Sequence, residues 1–566
     1  MTRLPPSADR RPPRGVRRAP ALVAAAVVVV GLAGAVGFVS GGFGPPFGSP
    51  IEPGPSATAG AGAPTVGVGP TASPTQRPSP SPRPTPTPVL LVDVAIVPVT
   101  HFRSPLAETS LDEVRAIIRG TSERYEALEL VEADSAAILA ALGRERPADP
   151  SRLVLVPDAA TLAADLAASR KRLGILRADE VGPSVRALTW EGAALFGVGR
   201  VATLAAWPLV MRVPQADETQ PDEPRPAYDP ARAWTLVAGG DILLDRGVAK
   251  TVKIDGRGID FPFDGGTAEI TSRYCCSSFG WELPRTNRTG NEGAMRALLQ
   301  GADIAIANFE NPAPNNFRYH TSGTVFSADP ALIDGLVNAG IDYVSLANNH
   351  IRDAGARGVI ETIENLDTRG LAHGGAGRNI AEARRPALLD AGGVTVAILG
   401  YDTIARGYAA GPDRAGSAPL TAAVVQEDVA LARAAGADVV IVFPHWGTEY
   451  DATPFGSQRT LAHAVIDAGA DLVIGNHAHW AGAMELYNGR PIWYALGNFV
   501  FDQTWSEPTM EGITVELTFV GSQLVQITMR PHIILDKAQP NFLDPAGDGA
   551  VVLGQVFAAS KGLLDW

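Results

Sequence analysis

Four times in its C-terminal half the chain writes a glycine, a small or branched apolar residue, an aspartate, a short apolar run and then a potential metal ligand. The copies are Gly301-Ala302-Asp303 leading to Glu310, Gly340-Ile341-Asp342 to Asn349 and His350, Gly436-Ala437-Asp438 to His445, and Gly469-Ala470-Asp471 to Asn476, His477 and His479. A glycine at the C′ position closes a helix, the aspartate marks the turn, and the apolar run reads as a buried parallel strand. Each strand then delivers a functional group at its carboxyl end, where open α/β sheets bind ligands. Four strands aiming N and O donors at one edge predict a metal-dependent site.

A fifth strand end joins them. Trp234-Thr235-Leu236-Val237-Ala238-Gly239-Gly240-Asp241 runs an apolar segment into two glycines and a carboxylate, so the backbone can approach an ion while Asp241 faces it. Four of the nine histidines, His350, His445, His477 and His479, occupy the motif ends. The other five, His101, His320, His373, His463 and His532, have no such setting and read as structural or surface residues. Asn349 reads as a ligand or as the N-cap of the next helix. Glu449 and Asn498 read as site residues or loop fasteners, and Asp402 as a strand-end residue, with a support behind the ligands as the alternative.

Helical spacing at Leu332, Ile333, Leu336 and Val337, and again at Val359, Ile363 and Leu366, alternates with apolar strands, predicting a sheet covered on both faces. Alternation over Ile513 to Leu517 and Leu524 to Met529, around Gly521-Ser522, predicts an antiparallel hairpin. The stretch from Asp255 to Asn291 reads as a long loop that could lid the site. It holds the only two cysteines, Cys275 and Cys276; two thiols are expected there, with a vicinal disulfide as the alternative.

The N-terminal part has a different character. Residues 1–20 form a basic, cytoplasmic segment, and residues 21–43 read as an uncleaved transmembrane anchor, with a cleaved signal as the alternative. Residues 44–88 carry 14 prolines and read as an extended spacer. Beyond the six arginines and one aspartate of the first 18 residues, 41 basic and 59 acidic residues leave a charge of −18, which excludes a nucleic-acid partner. Everything after the anchor is expected outside the cell, with a smaller α/β domain at 89–213, a linker at 214–232, the main domain at 233–540 and a C-terminal segment at 541–566. In the smaller domain Ser110 and Glu113 are spaced as a capping box and Gly120 as the helix stop.

In order, Asn308-Phe309-Glu310-Asn311-Pro312, Asn348-Asn349-His350-Ile351-Arg352-Asp353, His445-Trp446-Gly447, Gly475-Asn476-His477-Ala478-His479-Trp480 and Gly497-Asn498-Phe499 resemble the CapA capsule-synthesis family, associated with poly-γ-glutamate and with the calcineurin-like metallophosphoesterase fold. The resemblance implies a four-layer α/β/β/α sandwich holding one or two divalent ions (Mn, Zn or Fe). It implies Glu310 as the bridging ligand, Asp241 and His479 on one ion, and Asn349, His445 and His477 on the other. His350 would act on the leaving oxygen, oriented by Asp353. It also implies a phosphoester or cell-envelope polymer as substrate, and capsule-assembly membrane proteins as partners. The wider fold carries Asp-x-His at the first motif, where this chain has Leu243, and that leaves hydrolysis unproven by the fold. A polymer-binding scaffold without turnover is the alternative. Residues 89–213 are loosely similar to one lobe of a phosphate-type solute-binding protein; they read as an α/β spacer domain that binds nothing small, with a solute sensor as the alternative.

Overall fold

The computed structural model describes residues 91–214 and 228–566. At its centre the strand Ala233–Ile242 is buried along its whole length, as expected of a strand covered on both faces. On one side it pairs in parallel with Ile304–Phe309, followed outward by Tyr343–Ser345 and Ala372–Gly374; on the other it pairs antiparallel with Glu511–Val520. That strand turns back into Gln523–Leu535, with Val520 opposite Gln523, so the hairpin forms where the alternation predicts it.

A second sheet runs Ala387–Ala391, Val394–Asp402, Val439–His445, Leu472–Ile474, Arg490–Trp493 and Met484–Tyr487. The two sheets meet through Trp234, Leu236, Ile304 and Ile306 against Val396, Ile398, Ile441 and Leu472. Helices Ala294–Gly301, Ile333–Ala339 and Gly355–Arg369 cover the outer face of the first sheet. Helices Ala422–Ala434 and Gly456–Asp467 cover that of the second. The layer order is α/β/β/α, placing the C-terminal ends of the parallel strands of both sheets along one edge.

The four aspartates of the repeated phrase do one job. Asp303, Asp342, Asp438 and Asp471 accept the backbone N–H of Thr235, Ala305, Thr395 and Val440, at 2.8, 2.8, 2.8 and 2.7 Å. Each carboxylate therefore ties the start of its own strand to the start of a neighbour. Gly340, Gly436 and Gly469 adopt positive φ at 86°, 92° and 103°. Gly301 departs from the expected pattern. It is the last helical residue, and a Cβ there would meet Val198 at 2.4 Å, so close packing rather than a left-handed turn requires glycine.

The smaller domain is a separate sheet, ordered Leu153–Val156, Ala127–Val131, Arg172–Arg177, Leu91–His101, Val185–Ala187, with Val210–Pro214 also on Leu91–His101. Ser110 caps helix Leu111–Arg119 by accepting Glu113 N–H, and Gly120 ends it at φ 71°. The Glu113 carboxylate takes the Ser122 hydroxyl instead of closing the box. This domain is fixed to the main one: Gln526 bonds Ala187 N at 2.7 Å and Val185 O at 3.0 Å, and Glu516 accepts Val198 N at 2.6 Å. The segment after Leu543 adds helix Gly549–Ala559, whose Val552 and Val556 enter the inter-sheet core.

Two expectations change. The stretch 255–291 is largely a β-hairpin, Thr267–Tyr274 against Leu283–Gly290, paired through Gln539–Leu543 to the first sheet. Cys275 and Cys276, neighbours at its tip, are joined as a disulfide and neither is free. Among the described residues no helix is long and apolar enough to cross a membrane. The expected anchor at 21–43, the segments 1–20 and 44–88, and most of the linker at 214–232 lie outside the described residues.

Candidate metal centre

Asp241 occupies the penultimate position of Ala233–Ile242, and its N–H donates to Gly497 O at 3.1 Å. A Cβ on the preceding Gly240 would lie 1.9 Å from that oxygen, so only glycine lets the two backbones close behind the carboxylate. Glu310 follows Ile304–Phe309 directly and is held by its N–H to Ile242 O at 2.9 Å. His445 ends its strand. His477 and His479 follow Leu472–Ile474 with φ of 95° and 57°, a region that residues other than glycine adopt mainly where the surroundings compel it. Tyr450 and Arg246, which flank the same edge, share positive φ at 63° and 49°.

These side chains converge. Donor atoms of Glu310, His445 and His477 lie within 4.8 Å of one another, and so do those of Asp241, Glu310 and His479. Glu310 belongs to both groups, and all five residues are buried. His479 Nδ1 is 3.3 Å from Asp241 Oδ2, and the Nε2 atoms of His445 and His479 are 3.7 and 3.8 Å from Glu310 Oε1. Asn349 Oδ1 approaches His445 Nε2 at 2.7 Å, so it joins the first group; the cap of the following helix is Ala354, not Asn349.

The chemistry of this set fits divalent cations. Neither oxygen of Glu310 has a hydrogen-bond partner although the residue is fully buried, and leaving a buried carboxylate unpaired is costly. Burial, then the charge of Asp241, pushes the Glu310 carboxyl well above the usual carboxylate range. Burial and the neighbouring imidazoles hold His445 well below its ordinary value and His477 at about 3, so both rings are neutral, as ligands must be. A cation in each position would supply the opposite charge that Glu310 lacks. The mixture of carboxylate, amide and imidazole donors suits Mn, Zn or Fe.

Around the ligands stands a shell of amides that the sequence presented without revealing their role. Asn308 donates to Asp241 Oδ1 at 2.7 Å and lies 3.2 Å from His445 Nδ1. Asn348 donates to Phe309 O at 2.8 Å and accepts His350 N–H at 3.1 Å. Asn498 Oδ1 is 2.9 Å from His479 Nδ1, while its amide donates to Thr509 O at 2.8 Å. Such partners fix ring orientation. Asn308 two residues before Glu310, and Asn348 next to Asn349, were the available signal.

His350 stands beside the cluster, its Nε2 3.9 Å from Glu310 Oε1. Asp353 Oδ2 lies 2.8 Å from its Nδ1, and Asp353 is itself fixed by Phe326 N–H at 2.8 Å and by the Tyr408 hydroxyl at 3.1 Å. Leu243 is buried in an apolar cluster with Phe326, Phe501 and Ile534, so this position offers the site no metal donor. Arg246 bonds Asp502, lies 4.8 Å over the Phe326 ring and draws the Glu310 carboxyl downward.

The remaining candidates have other duties. Asp402 accepts Ile404 N–H at 2.8 Å and the Ser417 hydroxyl at 3.2 Å. Glu449 is exposed at the rim, and its charge reaches Glu310. His320 binds Asp245, His463 stacks on Tyr487 with Glu485 at 2.9 Å, His373 faces Asp367, and His532 meets Asn498 O at 2.9 Å. His101 belongs to the smaller domain.

Residues 235–503, which contain every one of these ligands, match the family described as bacterial capsule synthesis protein PGA_cap. This domain belongs to the PGA_cap family. Two relatives of the PGA_cap domain are the capsule biosynthesis protein CapA of Bacillus anthracis, 34% identical over 231 residues, and the PGA biosynthesis protein CapA of Bacillus subtilis, 34% identical over 216. The alignments cover 39% and 38% of this chain and 56% and 57% of those proteins, so the chain matches little more than half the length of either relative. Among solved structures, the NAD nucleotidase of Haemophilus influenzae aligns with 53% of this chain and 56% of its own at 13% identity and a TM-score of 0.33.

Proposed function

We propose that this chain is a membrane-anchored, extracytoplasmic protein of capsule or exopolymer assembly, of the poly-γ-glutamate type, and that its PGA_cap domain hydrolyses a phosphoester or related bond. The observation that carries the hydrolytic reading is Glu310, buried with both oxygens unpartnered between two groups of imidazole and carboxylate donors. The names of the relatives support the assembly role, with capsule-assembly membrane proteins as partners and an envelope polymer or phosphoester as substrate. The arginine-flanked apolar segment at 21–43 supports the anchor.

When bound, divalent ions here would polarise a phosphoryl oxygen and lower the pKa of water. The chain's own residues do the rest. Asp353 holds the His350 ring through Nδ1, and Nε2, 3.1 Å from the Asn349 amide nitrogen and 3.9 Å from Glu310 Oε1, faces the cluster as the group placed to exchange a proton with the leaving oxygen. Arg246 contributes positive charge at the same edge, and the buried setting strengthens each of these interactions.

The test uses the purified full-length chain loaded with manganese or zinc and assayed against phosphomonoesters and phosphodiesters. Turnover lost on Glu310→Ala supports the reading. In Asp353→Asn the rate falls about 10- to 100-fold with metal content unchanged, which separates positioning of His350 from metal binding. Leu243 favours a second reading, a scaffold that binds polymer without turnover, because the donor set lacks an imidazole there. Full metal loading with no hydrolysis of any phosphoester would select it.

A further inference from the structure

We propose that a pocket of about 540 Å³ on the helix-covered side of the strand carrying His445 binds an organic acid, a single carboxylate on a short apolar chain. None of the six metal-centre ligands lines it, so it is separate from the cluster, yet Trp446 forms one wall and Thr403, in another, donates its N–H to His445 O at 3.1 Å. Its volume is that of a small-molecule site. Leu420, Trp446 and Leu461 give it an apolar body.

One end of the pocket is rich in unused donors. Helix Gly456–Asp467 begins there, and its cap residue Phe455 has no side chain able to accept from the first turn. The first intrahelical bond is Arg459 N–H to Phe455 O, and the N–H groups of Ser457 and Gln458 have no acceptor among the described residues. These groups carry the positive end of the helix dipole. Gln458 itself is 6% exposed and lines the cavity. Its side-chain amide makes no hydrogen bond among the described residues and is not sealed from solvent, so it is free to take a partner from the cavity. Arg406, exposed at the mouth, has no ion pair among the described residues.

The lining also sets the charge of the occupant. Asp402 is its one carboxylate, and both of its oxygens are engaged, with Ile404 N–H and the Ser417 hydroxyl. It is therefore a poor cation ligand, and its charge opposes a dianion such as phosphate more than a monoanion. A helix N-terminus, an amide and a guanidinium at one end of an apolar pocket match a carboxylate with an aliphatic tail.

Calorimetric titration of the full-length chain with hexanoate, hexanol and inorganic phosphate tests this. Saturable hexanoate binding is expected, with hexanol weaker by about tenfold or more and phosphate weaker still. Gln458→Leu and Arg406→Ala should each weaken hexanoate about tenfold, and Leu461→Trp, which fills the pocket, should abolish binding. Arg406 is exposed, so its variant keeps the fold, and the thermal transition verifies this for all three. Equal binding of hexanol and hexanoate, preference for phosphate, hexanoate binding untouched by these substitutions, or no saturable binding would overturn the proposal.

Discussion

The two halves of the metal centre share Glu310 but are built from different surroundings. The half formed with His445 and His477 adds Asn349, whereas Asn308 reaches both halves, at Asp241 and at His445. The half formed with Asp241 and His479 faces the apolar cluster of Leu243, Phe326 and Phe501 and has no further imidazole. Donor number and fixed orientation set metal affinity, so the first half should hold its ion more tightly than the second.

The largest effect should come from removing what the halves share. Glu310→Ala is expected to lower metal content from about two equivalents to below about one, read by elemental analysis; undiminished loading would deny Glu310 its bridging place. Next, the halves should separate in a metal titration. His445→Ala should remove the tighter step and His479→Ala the weaker, and loss of the same step in both variants would show a single ion. A smaller effect is expected from Leu243→His, which adds the missing donor. The weaker step should tighten about tenfold, at a stability cost of about 1–3 kcal/mol for a polar ring among Phe326, Phe501 and Ile534; an unchanged titration would mean the apolar cluster does not limit that half.

A separate effect, on stability rather than on metal binding, concerns the support behind His479. His532 is buried against Asn498 O, and burial lowers its pKa to about 4. In the fold it stays neutral, whereas the unfolded chain takes up the proton near pH 6.5. Stability is thus present above that pH and lost as pH falls from about 6.5 to about 4, by on the order of 3 kcal/mol. Thermal melts of the metal-free chain should show the decline, and His532→Gln should shallow it. An unchanged slope would remove His532 from the account.

Much of this was legible in the sequence because backbone and ligand chemistry coincide. Gly340, Gly436 and Gly469 close their helices, each aspartate ties two strands, and the donors follow at the strand ends. What was not legible depends on contacts between distant segments. Gly301 is set by Val198 of another domain, the hairpin at 267–290 by pairing through Gln539–Leu543, and the bracing role of Asn308 by His445, which lies in the other sheet. The unfilled donors at Gln458 have no sequence pattern, because an unpartnered amide is defined only by what surrounds it.

The most direct test of the unequal, shared centre is anomalous scattering at the manganese edge from crystals of the full-length chain soaked with that metal. Two peaks flanking Glu310 are predicted, with the higher occupancy between His445 and His477 and the lower between Asp241 and His479. A peak away from Glu310, or the higher occupancy on the Asp241 side, would contradict the account.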